Sequence, residues 1–188
     1  IDLARPLHVY DIAKLHGNIT VRDSREGETF RALNNKDYIL PGGICVIADD
    51  KSPLAIGGVM GGIESGCTDT TLDVFLEVAL FEPAAIAKAG RSLQIDSDAR
   101  YRFERGVDVA FAEEAATRAV SMILSLCGGT PSELVFAGRT PDWKREIAFN
   151  AERVKALGGV DIPAEKSYAI LESLGFSVIR HPSSVTPP

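Results

Sequence analysis

Residues 55–81, AIGGVMGGIESGCTDTTLDVFLEVALF, constrain the fold more than any other segment of this 188-residue chain. The segment begins with an apolar run that is broken by two glycine pairs, Gly57-Gly58 and Gly61-Gly62. Glycine pairs allow the backbone to approach another backbone or a ligand closely. A polar loop follows, and then an apolar strand is predicted at residues 74–76, with one carboxylate, Glu77, directly after it.

Glu77 is flanked by the apolar residues Leu76 and Val78. A carboxylate is costly to bury unless a donor meets it. We therefore interpret the segment as a cleft with a glycine floor on one side and a lone acidic group on the other. The alternatives are a partly exposed Glu at a strand end and glycine pairs that only form tight turns.

The residues on either side of this segment predict an α+β fold with a β-rich, partly closed sheet core and flanking helices. Short apolar runs separated by turn signals are typical of such a core. Strands are predicted at residues 18–22, 29–33, 38–40, 44–48 and 134–137, and helices at residues 84–89 and from Asp108 to about Leu126. The polar residues 94–106, which include three arginines, are expected to be irregular.

A change of composition at residues 138–145 indicates a linker between two domains. Beyond it we predict a small β-α-α-β domain, with strands at residues 146–149 and 176–180. Asn150 is expected to cap the first helix, and Pro163 to open the second. The predicted domains are residues 1–138 and 145–188.

Composition and charge exclude several classes of protein. The formal net charge of −6, from 20 Lys and Arg against 26 Asp and Glu, argues against strong nucleic-acid binding by this chain alone. The three cysteines are odd in number and form no CxxC pair, which favours a reducing, cytoplasmic setting without a zinc site. No apolar run approaches the roughly 18 residues that span a bilayer, so no membrane association is expected.

Six motifs occur in an order that resembles one family, the β subunit of bacterial phenylalanyl-tRNA synthetase. They are RPLHVYD (residues 5–11), VIADD (46–50), GGVMGG (57–62), LEVALF (76–81), SDARYRFERGVD (97–108) and CGG (127–129). The resemblance identifies residues 1–138 as the central editing domain, truncated at its N-terminus. It identifies residues 145–188 as most of the small domain that follows, truncated at its C-terminus.

The resemblance implies hydrolytic editing, in which tyrosine wrongly esterified to tRNA(Phe) is removed. His8 is expected near the ester and its water, and Glu77 is expected to receive the tyrosine hydroxyl. Gly61, Ser97 and Ala99 are expected to bind the substrate, although Ser97 stands where the family has Thr. No metal ligand is expected among them.

The same resemblance implies that the α subunit carries aminoacylation, in an assembly of two α and two β subunits that binds tRNA(Phe). ATP and magnesium are then cofactors of the whole enzyme, and none is expected in this fragment. The sequence contains neither a G-x-x-x-x-G-K-[ST] loop nor a G-x-S-x-G elbow. We expect the fragment alone to be weak or inactive in editing and unable to aminoacylate.

The alternative is a non-catalytic structural or RNA-binding module of the synthetase. Taken without the family resemblance, His8 is more often a satisfied structural histidine than a catalytic one. The cluster of Arg100, Arg102 and Arg105 can pair with Glu104, Asp98 and Asp108 as a structural ion network. We favour this network over RNA contact for at least Arg102 and Arg105. The two hypotheses differ in whether His8, Gly61, Glu77 and Ala99 line one cavity.

Overall fold

The computed structural model describes residues 5–180 and has the predicted α+β fold. Its strands are β1 (His8–Asp11), β2 (Thr20–Asp23), β3 (Glu28–Arg31), β4 (Asp37–Leu40), β5 (Cys45–Ala48), β6 (Pro53–Ile56), β7 (Met60–Gly61) and β8 (Val74–Glu77). Its helices are α1 (Pro83–Ser92), α2 (Asp98–Phe103), α3 (Ala112–Cys127), α4 (Glu152–Gly158) and α5 (Ala164–Ser173).

The strands form three small antiparallel sheets, ordered β2-β5-β6-β7, β3-β4 and β1-β8. Single bridges between Ala32 and Gly62 and between Tyr10 and Gly66 link segments next to different sheets. The described strands do not close into a barrel, and their buried residues form two hydrophobic clusters. This arrangement brings β1 and β8, which are far apart in the chain, into one pair.

The hydrophobic core lies under β5 and β6 and extends to the first two helices. Val46 and Ala48 are fully buried, and Ile56 and Ile86 are 1% exposed. Complete burial of an aliphatic side chain of this size stabilises a fold by about 1.5–3 kcal/mol. The core therefore fixes α1, which carries Ile86, against the sheet.

Local sequence explains where α1 begins. The Glu82 carboxylate accepts hydrogen bonds from the backbone N–H groups of Ala84 (3.2 Å) and Ala85 (2.5 Å), and Pro83 occupies the first turn. These contacts satisfy donors that a helix N-terminus leaves free. The helix runs to Ser92, three residues beyond the predicted end.

The expectation that residues 94–106 are irregular is wrong, because they contain α2. Ser97 caps this helix, since its Oγ accepts a hydrogen bond from the N–H of Arg100 at 3.1 Å. Arg100 and Glu104 then form an i,i+4 ion pair, with Nε 3.0 Å from Oε2. A good cap and an i,i+4 pair stabilise a helix in a stretch that has no simple apolar periodicity.

The ion network predicted around the arginines forms in part. Glu104 pairs with Arg105 as well as with Arg100, and the Arg105 guanidinium lies 3.7 Å from the centre of the Tyr101 ring. Arg100 also donates to the Ile95 carbonyl oxygen at 2.6 Å. These contacts support a structural role for Arg100 and Arg105.

The longest helix, α3, starts later than predicted. Asp108 does not cap it; the carboxylate instead accepts from the N–H of Ala110, and Phe111 holds the cap position without a side-chain bond. Its buried residues are Ala115, Ala116 and Ala119, all in its first half. Gly128, with φ of 72°, follows its last residue, as the predicted glycine stop requires.

The chain divides into two compact units between Asp142 and Trp143. The second unit contains the two predicted helices, α4 and α5. Asn150 is not the cap of α4, because Ala151 holds that position without a side-chain bond; the Asn150 carboxamide accepts from the N–H of Glu152 just before the helix. The strands predicted at residues 134–137, 146–149 and 176–180 are absent. Strands need a neighbour for their backbone groups, and none of the described segments pairs with these three.

Candidate functional site

The β1–β8 pair places two chemically active side chains opposite each other. In its antiparallel register His8 faces Glu77, and Tyr10 faces Phe75. Directly opposed residues lie on one face of a sheet with Cβ atoms about 4.5–5.5 Å apart. His8 and Tyr10, two residues apart on one strand, share that face with Glu77.

Glu77 has a protein donor. The Tyr10 hydroxyl donates to its Oε2 at 2.6 Å, and Tyr10 itself is fully buried. Burial raises the pKa of Glu77, whereas the hydrogen bond from Tyr10 acts in the opposite direction. Burial and the neighbouring carboxylate together raise the pKa of Tyr10, so the phenol stays protonated and remains a donor at neutral pH.

His8 lies against Tyr10, with ring centroids 4.4 Å apart and an interplanar angle of 61°. Its Nε2 is buried and has no hydrogen-bond partner within the described residues. Burial lowers the pKa of His8, so the imidazole is neutral near pH 7. A neutral imidazole carries one N–H donor and one nitrogen that can accept a hydrogen bond.

On the opposite side of the site, glycines allow the backbone of the loop to pack directly against neighbouring side chains. A Cβ added to Gly61 would overlap the His8 imidazole. A Cβ at Gly58, where φ is 67°, would lie 2.8 Å from both Phe81 Cδ2 and Ile86 Cδ1. The sequence interpretation of this loop as a close-approach floor therefore agrees with the contacts that it makes.

Helix α2, which the sequence interpretation missed, supplies a third side of the site. Ser97 is its N-cap, Ala99 lies in its first turn, and both line the cavity. The Ser97 hydroxyl donates to the Val59 carbonyl oxygen at 2.6 Å while it accepts from Arg100. The hydroxyl thus joins α2 to the glycine loop. Its proton is engaged in the hydrogen bond to Val59 and is not available to a ligand.

All five predicted site residues, His8, Gly61, Glu77, Ser97 and Ala99, line one cavity of about 210 Å³. At a liquid volume of ~30 Å³ for each water, this is space for roughly seven waters. The sequence analysis did not predict most of the apolar lining, which includes Leu7, Leu33, Met60, Phe81 and Phe103. A cavity with apolar walls and a few convergent polar groups is typical of a small-ligand site.

Residues 5–180 contain no group of three or more His, Cys, Asp or Glu side chains arranged to hold a metal ion. Within the same range, no helix combines the length and apolarity needed to cross a membrane.

Comparison with known proteins places the chain in a family. A family model described as the B3/4 domain matches residues 1–128, which contain every residue of the site described above. The chain belongs to the B3/4 domain family. The motif-based resemblance to phenylalanyl-tRNA synthetase β subunits is confirmed by similarity along the whole chain to curated relatives.

Three curated relatives show the extent of the similarity. The chain is 50% identical to the "Phenylalanine--tRNA ligase beta subunit" of Paramagnetospirillum magneticum, over 100% of the chain and 24% of the relative. It is 52% identical to the protein of the same name from Rhodospirillum rubrum, over 94% of the chain and 22% of the relative. It is 49% identical to the protein of the same name from Nitrobacter winogradskyi, over 94% of the chain and 22% of the relative. The chain spans about a quarter of the length of these relatives.

Proposed function

We propose that the chain is the editing region of a phenylalanine-tRNA ligase β subunit and that it hydrolyses tyrosine wrongly esterified to tRNA(Phe). The observation that carries the proposal is the cavity in which His8 and Glu77 face each other across β1 and β8. This cavity combines a carboxylate acceptor, which can distinguish two amino acids, with a neutral imidazole.

Glu77 supplies the specificity. Tyr10 occupies its Oε2, and the described residues make no other hydrogen bond to the carboxylate. The hydroxyl of a bound tyrosine can donate to Oε1, and phenylalanine has no such group. A hydrogen bond to a charged acceptor is worth about 1.5–3 kcal/mol. That energy corresponds to tenfold to hundredfold discrimination.

His8 holds the hydrolytic water. An aminoacyl ester is already activated, so a water positioned at the carbonyl carbon is enough for attack. The water adds to that carbon, the bond to the ribose oxygen breaks, and the departing oxygen takes up a proton. The neutral His8 imidazole, which lines the cavity, orients this water.

The small side chains near the cavity leave room for an aromatic ring. Gly61 has no Cβ to displace the His8 imidazole, and Ala99 presents only a methyl group to the cavity. Ser97, the family's Thr position, holds α2 against the glycine loop through Val59. We assign Ser97 to shaping the pocket rather than to donating its proton to the substrate.

The whole enzyme, in this proposal, works in the cytoplasm as an assembly with the α subunit and binds tRNA(Phe). ATP and magnesium belong to aminoacylation on that assembly. The described residues present no cluster of metal ligands, and no step of the hydrolysis proposed here uses either cofactor.

The decisive experiment measures deacylation of tyrosyl-tRNA(Phe) by the complete synthetase. Glu77→Ala should slow it by tenfold to a hundredfold, because the substrate hydroxyl loses its acceptor. Glu77→Gln should retain part of the rate, since its carbonyl oxygen still accepts. Glu64→Ala is the matched control, because Glu64 is exposed and lies outside this cavity.

The competing function is a structural or RNA-binding module in which the cavity performs no chemistry. That hypothesis expects Glu77→Ala to lower the melting temperature and to leave deacylation unchanged. Deacylation at the wild-type rate in Glu77→Ala, with phenylalanine charging intact, would therefore overturn the editing proposal.

A further inference from the structure

We infer that Tyr10 is a positioning residue for this site: its hydroxyl holds one oxygen of Glu77 and its ring supports His8. A substrate hydroxyl then meets only the other carboxylate oxygen. The inference rests on the proposed editing function, which it extends by a residue that the motif resemblance did not single out as part of the site.

The geometry places Tyr10 between the two proposed functional groups. Its hydroxyl contacts Glu77 Oε2 at 2.6 Å, and its ring centroid lies 4.4 Å from that of His8. On the other side its ring packs against Phe75, with centroids 5.8 Å apart. Phe75 is opposite Tyr10 in the β1–β8 register, so the strand pair itself holds the ring.

Burial makes the contact between Tyr10 and Glu77 obligatory. Tyr10 is 0% exposed, and a phenol hydroxyl buried without a partner costs free energy. The only hydrogen-bond partner of that hydroxyl among the described residues is Glu77. Because the phenol remains protonated, it acts on Glu77 as a permanent donor.

This donor favours the ionised form of Glu77 within a cavity whose burial favours the neutral form. An ionised carboxylate can only accept, so it selects a ligand that donates. A protonated carboxyl group can also donate, and it selects less strictly. Loss of the Tyr10 hydroxyl should therefore weaken the discrimination between tyrosine and phenylalanine and not merely the rate.

Tyr10→Phe removes the hydroxyl and keeps the buried ring. In the complete synthetase we expect it to reduce the ratio of tyrosyl-tRNA(Phe) to phenylalanyl-tRNA(Phe) hydrolysis by about tenfold. Combining it with Glu77→Gln should reduce that ratio no further than Glu77→Gln alone, because the two residues act through one contact. The inference would be overturned if Tyr10→Phe slowed hydrolysis of both substrates equally. It would also be overturned if the reductions of the selectivity ratio were additive in the double variant.

Tyr38→Phe is the matched control. Tyr38 lies on β4, packs against the core and uses its hydroxyl to accept a hydrogen bond from Asn34 at 2.8 Å. Unlike Tyr10, it makes no hydrogen bond to Glu77. We expect the selectivity ratio of this variant to be unchanged, and a fall equal to that of Tyr10→Phe would also overturn the inference.

A second measurement does not depend on hydrolysis. The infrared carboxyl band of Glu77, identified by subtracting the spectrum of Glu77→Gln, reports how far the group is protonated at neutral pH. We expect a larger protonated fraction of Glu77 in Tyr10→Phe than in the wild type. His8 and Cys45 are the other titratable groups near Glu77. An unchanged band would overturn the inference. Wild-type synthetase that fails to hydrolyse tyrosyl-tRNA would instead overturn the proposed function.

Discussion

The cavity has two sides built on different physical principles. The polar side, formed by His8 and Glu77, is held by the buried Tyr10, which makes a hydrogen bond to Glu77 and a ring contact with His8. The glycine side, formed by Gly57, Gly58 and Gly61, is held by contact with other side chains and has no side chains of its own. One side carries functional groups, and the other provides close packing.

The difference separates the effects expected from mutation. Shortening a side chain on the polar side leaves the backbone pairing intact and changes what the cavity can recognise. Adding even one carbon on the glycine side forces atoms that are already in contact to move, and tightly packed interiors resist such movement. Function should therefore be sensitive on the first side and stability on the second.

The largest stability loss is expected for Gly58→Ala. A Cβ there would lie 2.8 Å from Ile86 Cδ1, and φ is 67°, so crowding adds to backbone strain. We expect a loss of about 2–4 kcal/mol in the free energy of unfolding, measured by urea denaturation. Gly27→Ala is the control, because φ there is 78° and nothing lies within 4 Å. Equal losses in both variants would show that the glycine side is not tightly packed.

A smaller effect is expected when a large side chain replaces Ala99 on helix α2 and fills part of the cavity. Ala99→Trp should obstruct the bound aromatic ring, and overfilling a packed site costs about 1–3 kcal/mol. In the complete synthetase, clearance of tyrosyl-tRNA(Phe) should slow while phenylalanine charging continues. Ala85→Trp, on an exposed position of α1, should leave clearance unchanged. Clearance at the wild-type rate by Ala99→Trp would show that Ala99 does not contact the bound substrate.

The smallest effect concerns pH and distinguishes the two groups of the polar side. The folded-state pKa of Glu77 is raised above its ordinary 4.5, so its contribution to stability is present below pH 4.5 and is lost as pH rises through the folded-state value. The pKa of His8 is lowered below 6.5, so its contribution is present above pH 6.5 and is lost as pH falls through the folded-state value.

Urea denaturation across this pH range should therefore show opposite trends. The stability of Glu77→Gln relative to the wild type should increase as pH rises above 4.5, because the variant has no carboxylate to bury. The stability of His8→Gln relative to the wild type should increase as pH falls below 6.5. Parallel pH dependence in all three proteins would show that neither group is perturbed by burial.

Much of this architecture could be predicted from the sequence, because the signals were local. The short strands of the core follow from apolar runs between turn residues, and the start of α1 follows from Glu82 and Pro83. Gly128 marks the end of α3. The five proposed site residues came from ordered motifs, and the structure places them around one cavity.

The sequence-based predictions were wrong where secondary structure depends on partners distant in sequence or on side-chain contacts that have no periodicity. Helix α2 depends on the Ser97 cap and the pair between Arg100 and Glu104, which hydrophobic patterning does not reveal. The segments at residues 134–137, 146–149 and 176–180 have strand-like composition, but composition cannot supply a neighbouring strand.

The sequence by itself determined the fold class and the glycine loop, and its contiguous motifs supplied the residues that are proposed to carry chemistry. Only the tertiary structure decided that Tyr10 donates to Glu77, because the two residues are 67 positions apart and meet through the β1–β8 register. Motifs specify which side chains are present. The pairing of strands distant in the chain determines which of those side chains share a hydrogen bond, and therefore how the carboxylate is charged.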